Sequence, residues 1–382
     1  MRLSCSDTTT SATDCTVTGL TNGSAYTFTV TAANSLGSGP AAYSSSVIPV
    51  SNYSVNPLNL AVSGLGGGVS RTITITNLTQ QQVTINGRTT TPTLPGSAEI
   101  DQSSTCSVGH NLAANASCTL IINPGSDPTS SCVSGEPAVP SVITVGFEGG
   151  SSVEANVFFL AYGCQYQGGY LFSIDDKTPT TNSIGGVVAA VLDSVSIQQW
   201  SNDGVNFSIW GIDETSTPVI PSPNTNTLLY PSVLHVGQLN CDGKSDGACD
   251  TNNIVNDPSY PDGGYAAAKC KQAIDSNGNT PCLSGATCYT DWYMPAICQL
   301  GNNISFCPYP PDPNNIETQL HNNNIGGFDN TYWSATEVSP YGSMYGPSTF
   351  VYIWNSINNE GELPQKNGNG SYSIRCVRSL TF

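Results

Sequence analysis

The chain has 382 residues, with 10 Lys plus Arg against 27 Asp plus Glu, a formal charge of −17, and only 10% charged residues overall. Its length allows two or three domains of roughly 100–200 residues each, and an acidic chain whose few basic residues are scattered repels phosphate backbones and anionic lipid, which sets nucleic acid aside as a partner. No apolar run approaches the roughly 18 residues a membrane-spanning helix needs, so no transmembrane segment is expected; 14 Cys in a background rich in Gly, Pro, Ser, Thr and Asn point instead to β-rich domains stapled by disulfides.

In residues 1–50, Ala25 to Ala32 place Tyr26, Phe28 and Val30 on one face and Thr27, Thr29 and Thr31 on the other, the alternation of a half-buried strand. An Asn22-Gly23 turn joins it to Cys15–Leu20. The leucine, turn and tyrosine resemble the tyrosine corner of a fibronectin type III domain. That resemblance covers about the last three of seven strands, so the expectation is a partial module whose inner face lacks partners. The start, Met1-Arg2-Leu3-Ser4, carries no apolar secretory segment. Because the cysteines still imply an oxidising compartment, the expectation is an exported, extracellular or cell-surface protein whose signal belongs to a missing amino-terminal part.

Residues 51–163 hold six strand-like runs: 58–62, 70–76, 82–85, 118–122, 141–147 and 153–161. Short strands separated by turns predict an immunoglobulin-like sandwich. Ile73-Thr-Ile-Thr-Asn77 and Ala113-Ala-Asn-Ala-Ser-Cys118 resemble cell-surface relatives of the ASPM, SPD-2 and Hydin domain, which implies a spacer. Cys106 and Cys118 flank a turn and are expected to pair, and Cys132 to reach Cys164, although spacing alone does not fix connectivity. Further local pairs expected along the chain are Cys5 with Cys15, Cys241 with Cys249, Cys282 with Cys288, and Cys298 with Cys307.

From Cys164 onward the ordered marks are Tyr265-Ala-Ala-Ala-Lys-Cys270, Trp292-Tyr-Met-Pro295, Tyr332-Trp-Ser-Ala-Thr-Glu337 and Arg375-Cys-Val-Arg378. In that order they resemble the carboxy-terminal domain of Legionella-type collagen-like adhesins, which look like the C-type lectin fold. The resemblance implies an α+β head over residues 164–382. It also implies a helix through Ala266, Ala267, Lys269, Cys270 and Ile274 beside the final strand, and a Cys270–Cys376 bridge. The expected fold class is therefore mainly β: a truncated fibronectin type III module (1–50), an immunoglobulin-like sandwich (51–163), and a C-type-lectin-like head.

For ligand binding, the stretch from Thr336 to Ser371 is rich in Tyr, Ser, Gly and Asn, a mixture suited to adaptable loops and equally to inert ones. Tyr332, Tyr341, Tyr345, Tyr352, Trp354 and Asn355 are the candidates there, whereas Trp292 and Trp333 read as core anchors. Calcium-binding lectins use a Glu-Pro-Asn triplet and a Trp-Asn-Asp strand; this chain has Trp354-Asn355-Ser356 and no such triplet, so no metal or other cofactor is expected. Asp242 to Asp250 lacks calcium-loop spacing and reads as a solvated, disulfide-tied turn. Adhesins of this family with collagen stalks are associated with sulfated glycosaminoglycans; here there is no Gly-X-Y stalk, and residues 164–382 carry seven basic against nineteen acidic side chains. His110, His235 and His321 are dispersed, and no nucleophile elbow or metalloprotease helix appears, so a non-enzyme is expected. The functional expectation is adhesion or recognition of a host or matrix glycan or protein. Its alternative is a structural surface or biofilm component that self-associates as a homo-oligomer, and a lesser one is an extracellular enzyme.

Overall fold

The computed structural model describes residues 17, 25–35, 37–47, 51–56, 59–63, 70–124, 138–174, 183–201, 208–218, 234–258, 265–301, 307, 314–339, 350–366 and 372–381. In the first stretch, β1 (Thr29–Val30) pairs with β4 (Ala42–Tyr43) and β2 (Ala33–Asn34) with β3 (Gly37–Ser38), both antiparallel. Val30 and Tyr43 remain 68% and 77% exposed. Among the described residues of this stretch, such two-residue ladders bury no core of their own.

Period-two alternation shapes the next unit. β7 (Arg71–Asn77) buries Ile73 and Ile75, β11 (Ser117–Asn123) buries Cys118, Leu120 and Ile122, and β12 (Ser141–Phe147) buries Ile143, Val145 and Phe147. The outward positions between them are mostly Thr, Ser and Asn. With β5 (Tyr53–Asn56) and β9 (Glu99–Ile100), β7 and β11 form an antiparallel sheet of order β5-β7-β11-β9. The second sheet runs β10-β8-β12-β13-β6, from β10 (Asn111–Leu112), β8 (Val83–Thr91), β12, β13 (Ser152–Leu160) and β6 (Asn59–Ser63); only the β13–β6 pair in it is parallel. The inner faces meet in one aliphatic core closed by Tyr53 stacked on Phe147, centroids 3.8 Å apart. Fully buried Asn77 donates to the carbonyls of Gln81, Leu112 and Ala113 and accepts from Thr79, so its amide is satisfied and the turn after β7 is fixed. All six strand-like runs read from the sequence are strands here, each within one residue of its expected bounds at either end except β8, which continues to Thr91.

β13 leads directly into the head. β14 (Gln165–Tyr166), β15 (Gly169–Ile174), β16 (Ser183–Ala190) and β24 (Val377–Thr381) form one antiparallel sheet in that order. The other runs β17-β23-β20-β21-β22, from β17 (Val195–Gln198), β23 (Tyr372–Ile374), β20 (Thr331–Glu337), β21 (Val351–Asn355) and β22 (Glu360–Glu362). β18 (Ile274–Asp275) and β19 (Cys288–Tyr289) make a separate hairpin. Four short helices, α1 (Gly247–Val255), α2 (Ala266–Cys270), α3 (Ile297–Leu300) and α4 (Ile316–Gln319), complete the described part. The protein is thus mainly β, with a sandwich followed by a mixed α and β unit.

Two expectations for the head are corrected. The helix expected through Ile274 stops at Cys270, and Ile274 begins β18, because Asp275 closes the loop that follows it through hydrogen bonds from the backbone N–H groups of Asn277 and Asn279. The segment from Asp242 to Asp250 is a disulfide-tied turn as expected, but it is only partly solvated and runs into α1 at Gly247. Asp246 caps α1 by accepting from the Cys249 amide, the Cys241–Cys249 bridge ties the turn to the helix, and Cys241 and Asp250 are fully buried.

The described disulfides are Cys106–Cys118, Cys241–Cys249, Cys270–Cys376, Cys282–Cys288 and Cys298–Cys307. Each joins a pair expected from the sequence. Cys164 is also disulfide-bonded. Cys5, Cys15 and Cys132 lie outside the described residues.

Candidate functional site

β20 and β21 lie inside their sheet, with partners on both sides, and nearly every residue along them is buried. This decides the fate of the aromatic candidates. Tyr332 and Trp354 are 0% and 1% exposed and pack against each other at 5.9 Å, with Phe328 beside both. The Trp354 N–H donates to Asn359, and burial pushes the Tyr332 hydroxyl up to about 12, against the opposing pull of Arg375. Tyr352 is 8% exposed. These three side chains build the core and present no stacking face to an outside ligand. Asn355 is half-buried and committed to Glu362 and the Ile357 amide. Tyr341 and Tyr345 lie outside the described residues.

Trp292 and Trp333 are buried as core anchors, Trp292 donating to the Tyr289 carbonyl. Trp200 completes the set, fully buried and donating to the Ser334 carbonyl.

Beneath Trp200 sits a feature the sequence did not disclose. Lys366, fully buried, meets Glu337, 1% exposed, while its ammonium lies 5.1 Å from the Trp200 ring centre and the Ile209 amide donates to both carboxylate oxygens. Burial drives Glu337 up to about 7 and Lys366 downward, with their mutual attraction opposing both shifts. Nearby, Asp250 has neither carboxylate oxygen hydrogen-bonded, and burial, reinforced by Asp246, Asp242, Glu337 and Asp213, holds it well above the usual carboxylate range. Among the described residues no three His, Cys, Asp or Glu side chains are arranged to hold a metal ion. His235 lies 4.0 Å from Asp257, and His321 packs edge-on against Trp354, so the histidines form no common site.

A concavity with ligand-sized dimensions lies elsewhere, where the sandwich meets the head, and a wider, shallower one of about 650 Å³ lies beside α1. The first encloses about 400 Å³ and opens to solvent. Phe158 reaches it from β13, Tyr166 from β14 and Tyr289 from β19, with Leu380 of β24 at its base. Local chemistry explains their placement. Gln167 and Gly168, at φ +43° and +85°, form the two-residue turn of the β14–β15 hairpin in the left-handed conformation that such turns require. A Cβ at Gly168 would lie 3.0 Å from the Tyr289 ring and 3.1 Å from the Asp275 carbonyl, so glycine also permits this close approach.

Tyr166 stands edge-on to Phe158, and its hydroxyl donates to the Phe159 carbonyl while accepting from the Ala161 amide. That ring is thereby fixed across the junction. Tyr289 is half-buried beneath the Arg378 guanidinium, 5.4 Å from the ring centre, and Arg378 in turn donates to the Thr290 carbonyl and the Gln167 side-chain oxygen. Asp275, held below the usual carboxylate range by the Asn279 side chain and then by backbone amides, fixes the loop carrying Ser276 and Asn277 into the wall. Sequence inspection missed the cleft because its walls come from four separate elements. The one local signal was Gln167-Gly168 between two short strand runs.

No family model matches the chain, and no curated protein matches it. Among solved structures it is similar to the Vibrio cholerae VesB protease, at 23% identity over 29% of this chain and 32% of that one, with a TM-score of 0.23. It is also similar to the secreted serine protease VesC from Vibrio cholerae, at 17% identity over 35% of this chain and 26% of that one, with a TM-score of 0.20. The chain thus spans about a third and about a quarter of those two proteins. At these TM-scores the likeness carries no conclusion about fold or chemistry.

Proposed function

We propose that this protein is an exported recognition or adhesion molecule, in which a β-sandwich spacer carries a C-type-lectin-like, disulfide-stapled head and a ligand is bound at their junction. The carrying observation is the cleft of about 400 Å³ whose aromatic walls are immobilised from both sides. A concave, largely preformed, partly apolar site with a few fixed polar groups is the usual form of a small-ligand site. The disulfides fit an extracellular or cell-surface location.

The test is binding of the labelled full chain to arrays of immobilised glycans and peptides, with size-exclusion chromatography alongside. Saturable binding to either class, weakened by Tyr289→Ala, supports recognition at this site. A discrete oligomer with no saturable binding on either array supports the self-associating structural component instead.

A further inference from the structure

The chemistry of the cleft selects a ligand class, and this step rests on the recognition function proposed above. Among the described residues that line it there is no Lys, Arg, Asp or Glu, and the nearest charges, Arg378 and Asp275, are buried behind the wall, the guanidinium donating to Thr290 and Gln167 and the carboxylate accepting from Asn277 and Asn279. A buried or half-buried ion on the ligand would thus meet only charges already engaged by the protein, which penalises charged ligands by desolvation. For polyanions the penalty is compounded by the chain's formal charge of −17.

What the wall does offer is neutral groups able to donate and accept. Asn277 is exposed, and its side-chain amide makes no hydrogen bond to the protein. The Ser276 hydroxyl is likewise uncommitted. Gln165 spends its amide nitrogen on the Ser276 carbonyl at 3.2 Å and keeps its oxygen as an acceptor. Facing these groups are Phe158 and Tyr289, two half-buried aromatic surfaces whose orientation is set by Tyr166 and Arg378.

Apolar faces beside uncharged two-way hydrogen-bonding groups are the complement of a pyranose ring, which has a C–H face and a rim of hydroxyls that both donate and accept. A volume of about 400 Å³ accommodates one or two such rings. We infer that the junction cleft is a binding site for an uncharged saccharide, with Tyr289 as the stacking platform and Asn277 and Ser276 as the hydroxyl-reading groups. This places the sugar site at the boundary between two structural units.

The experiment uses one array bearing neutral oligosaccharides, sialylated and sulfated oligosaccharides and unmodified peptides, probed with the full chain, followed by calorimetry on the best soluble neutral sugar. Expected are hits among the neutral sugars, a loss of tenfold or more in affinity for Tyr289→Ala and Asn277→Ala, and near-native affinity for Tyr289→Phe and for the distant surface variant Ile357→Ala. Asn277 is exposed, so its variant reports binding even where Tyr289→Ala fails to fold. Peptide-only or acidic-sugar-only hits that still respond to Tyr289→Ala overturn the saccharide assignment while leaving recognition at the cleft intact. Neutral-sugar binding insensitive to Asn277→Ala and Tyr289→Ala overturns the assignment of the site. Absence of binding to every class overturns both the assignment and the recognition function.

Discussion

The sandwich and the head solve the same problem, covering β-sheets with a core, by opposite means. In the sandwich, alternate aliphatic residues of two sheets interdigitate, and the described disulfide, Cys106–Cys118, spans only 12 residues. In the head, four buried tryptophans, an ion pair and a bridge between residues 106 apart hold together short strands and helices of four to nine residues. The sandwich therefore distributes its stability over many interchangeable contacts, whereas the head concentrates it in a few that cannot be exchanged.

The sharpest way to break this contrast is to remove disulfides in pairs. Cys270→Ala with Cys376→Ala should destabilise the head by about 5 kcal/mol in the chain-entropy account, against about 3 kcal/mol for Cys106→Ala with Cys118→Ala in the sandwich. Denaturant titration followed by tryptophan fluorescence reads the head selectively, since all five Trp lie beyond Cys164. Equal losses in the two units would erase the distinction.

The buried ion pair gives the next largest effect. Lys366→Met strands Glu337 without its partner and should cost about 3–5 kcal/mol. The double variant Lys366→Met/Glu337→Gln removes both charges and should recover part of that loss. A double variant as unstable as the single one would mean that packing around Trp200, and not the stranded charge, sets the cost.

The smallest effect is in pH dependence. Burial raises Glu214 from 4.5 to about 7, although the Ser339 amide pulls the other way. The folded head keeps a proton that the unfolded chain releases, so this contribution is complete below about pH 4.5 and is lost as pH rises through about 7. The melting temperature of the head should fall between about pH 5 and 8, and Glu214→Gln should flatten that slope. A melting curve that instead rises across this interval would show other groups dominating.

How far the sequence discloses the fold follows the same division. Ile73, Ile75, Ile143 and Val145 announce their strands because alternation is a local property, and the six sandwich runs are legible from it. The disulfide pairs in the head were also readable, the short ones from spacing and Cys270–Cys376 from the family resemblance. The site was not. Tyr332 and Trp354 look like ligand-facing aromatics in a polar stretch, but burial on both faces of β20 and β21 depends on sheet order, which no window of sequence contains. Lys366 and Glu337 are separated by 28 intervening residues, and the cleft residues Phe158 and Gln167 lie more than a hundred residues before Tyr289, so only the tertiary fold brings each set together. Helix α1 is an intermediate case: Asp246 followed by an acidic first turn and Ile254 is a local start signal that the disulfide spacing obscured.

The parallel pairing of β6 with β13 has a mechanical consequence. Asn59 to Ser63 run beside Asn156 to Leu160 in the same direction, and Leu160 hands the chain to the head. Tension between the segment entering β6 and the head pulls these two strands lengthwise past each other, loading their hydrogen bonds together in shear where a hairpin would unzip them one at a time. The sandwich is thus built to resist a pull on its head.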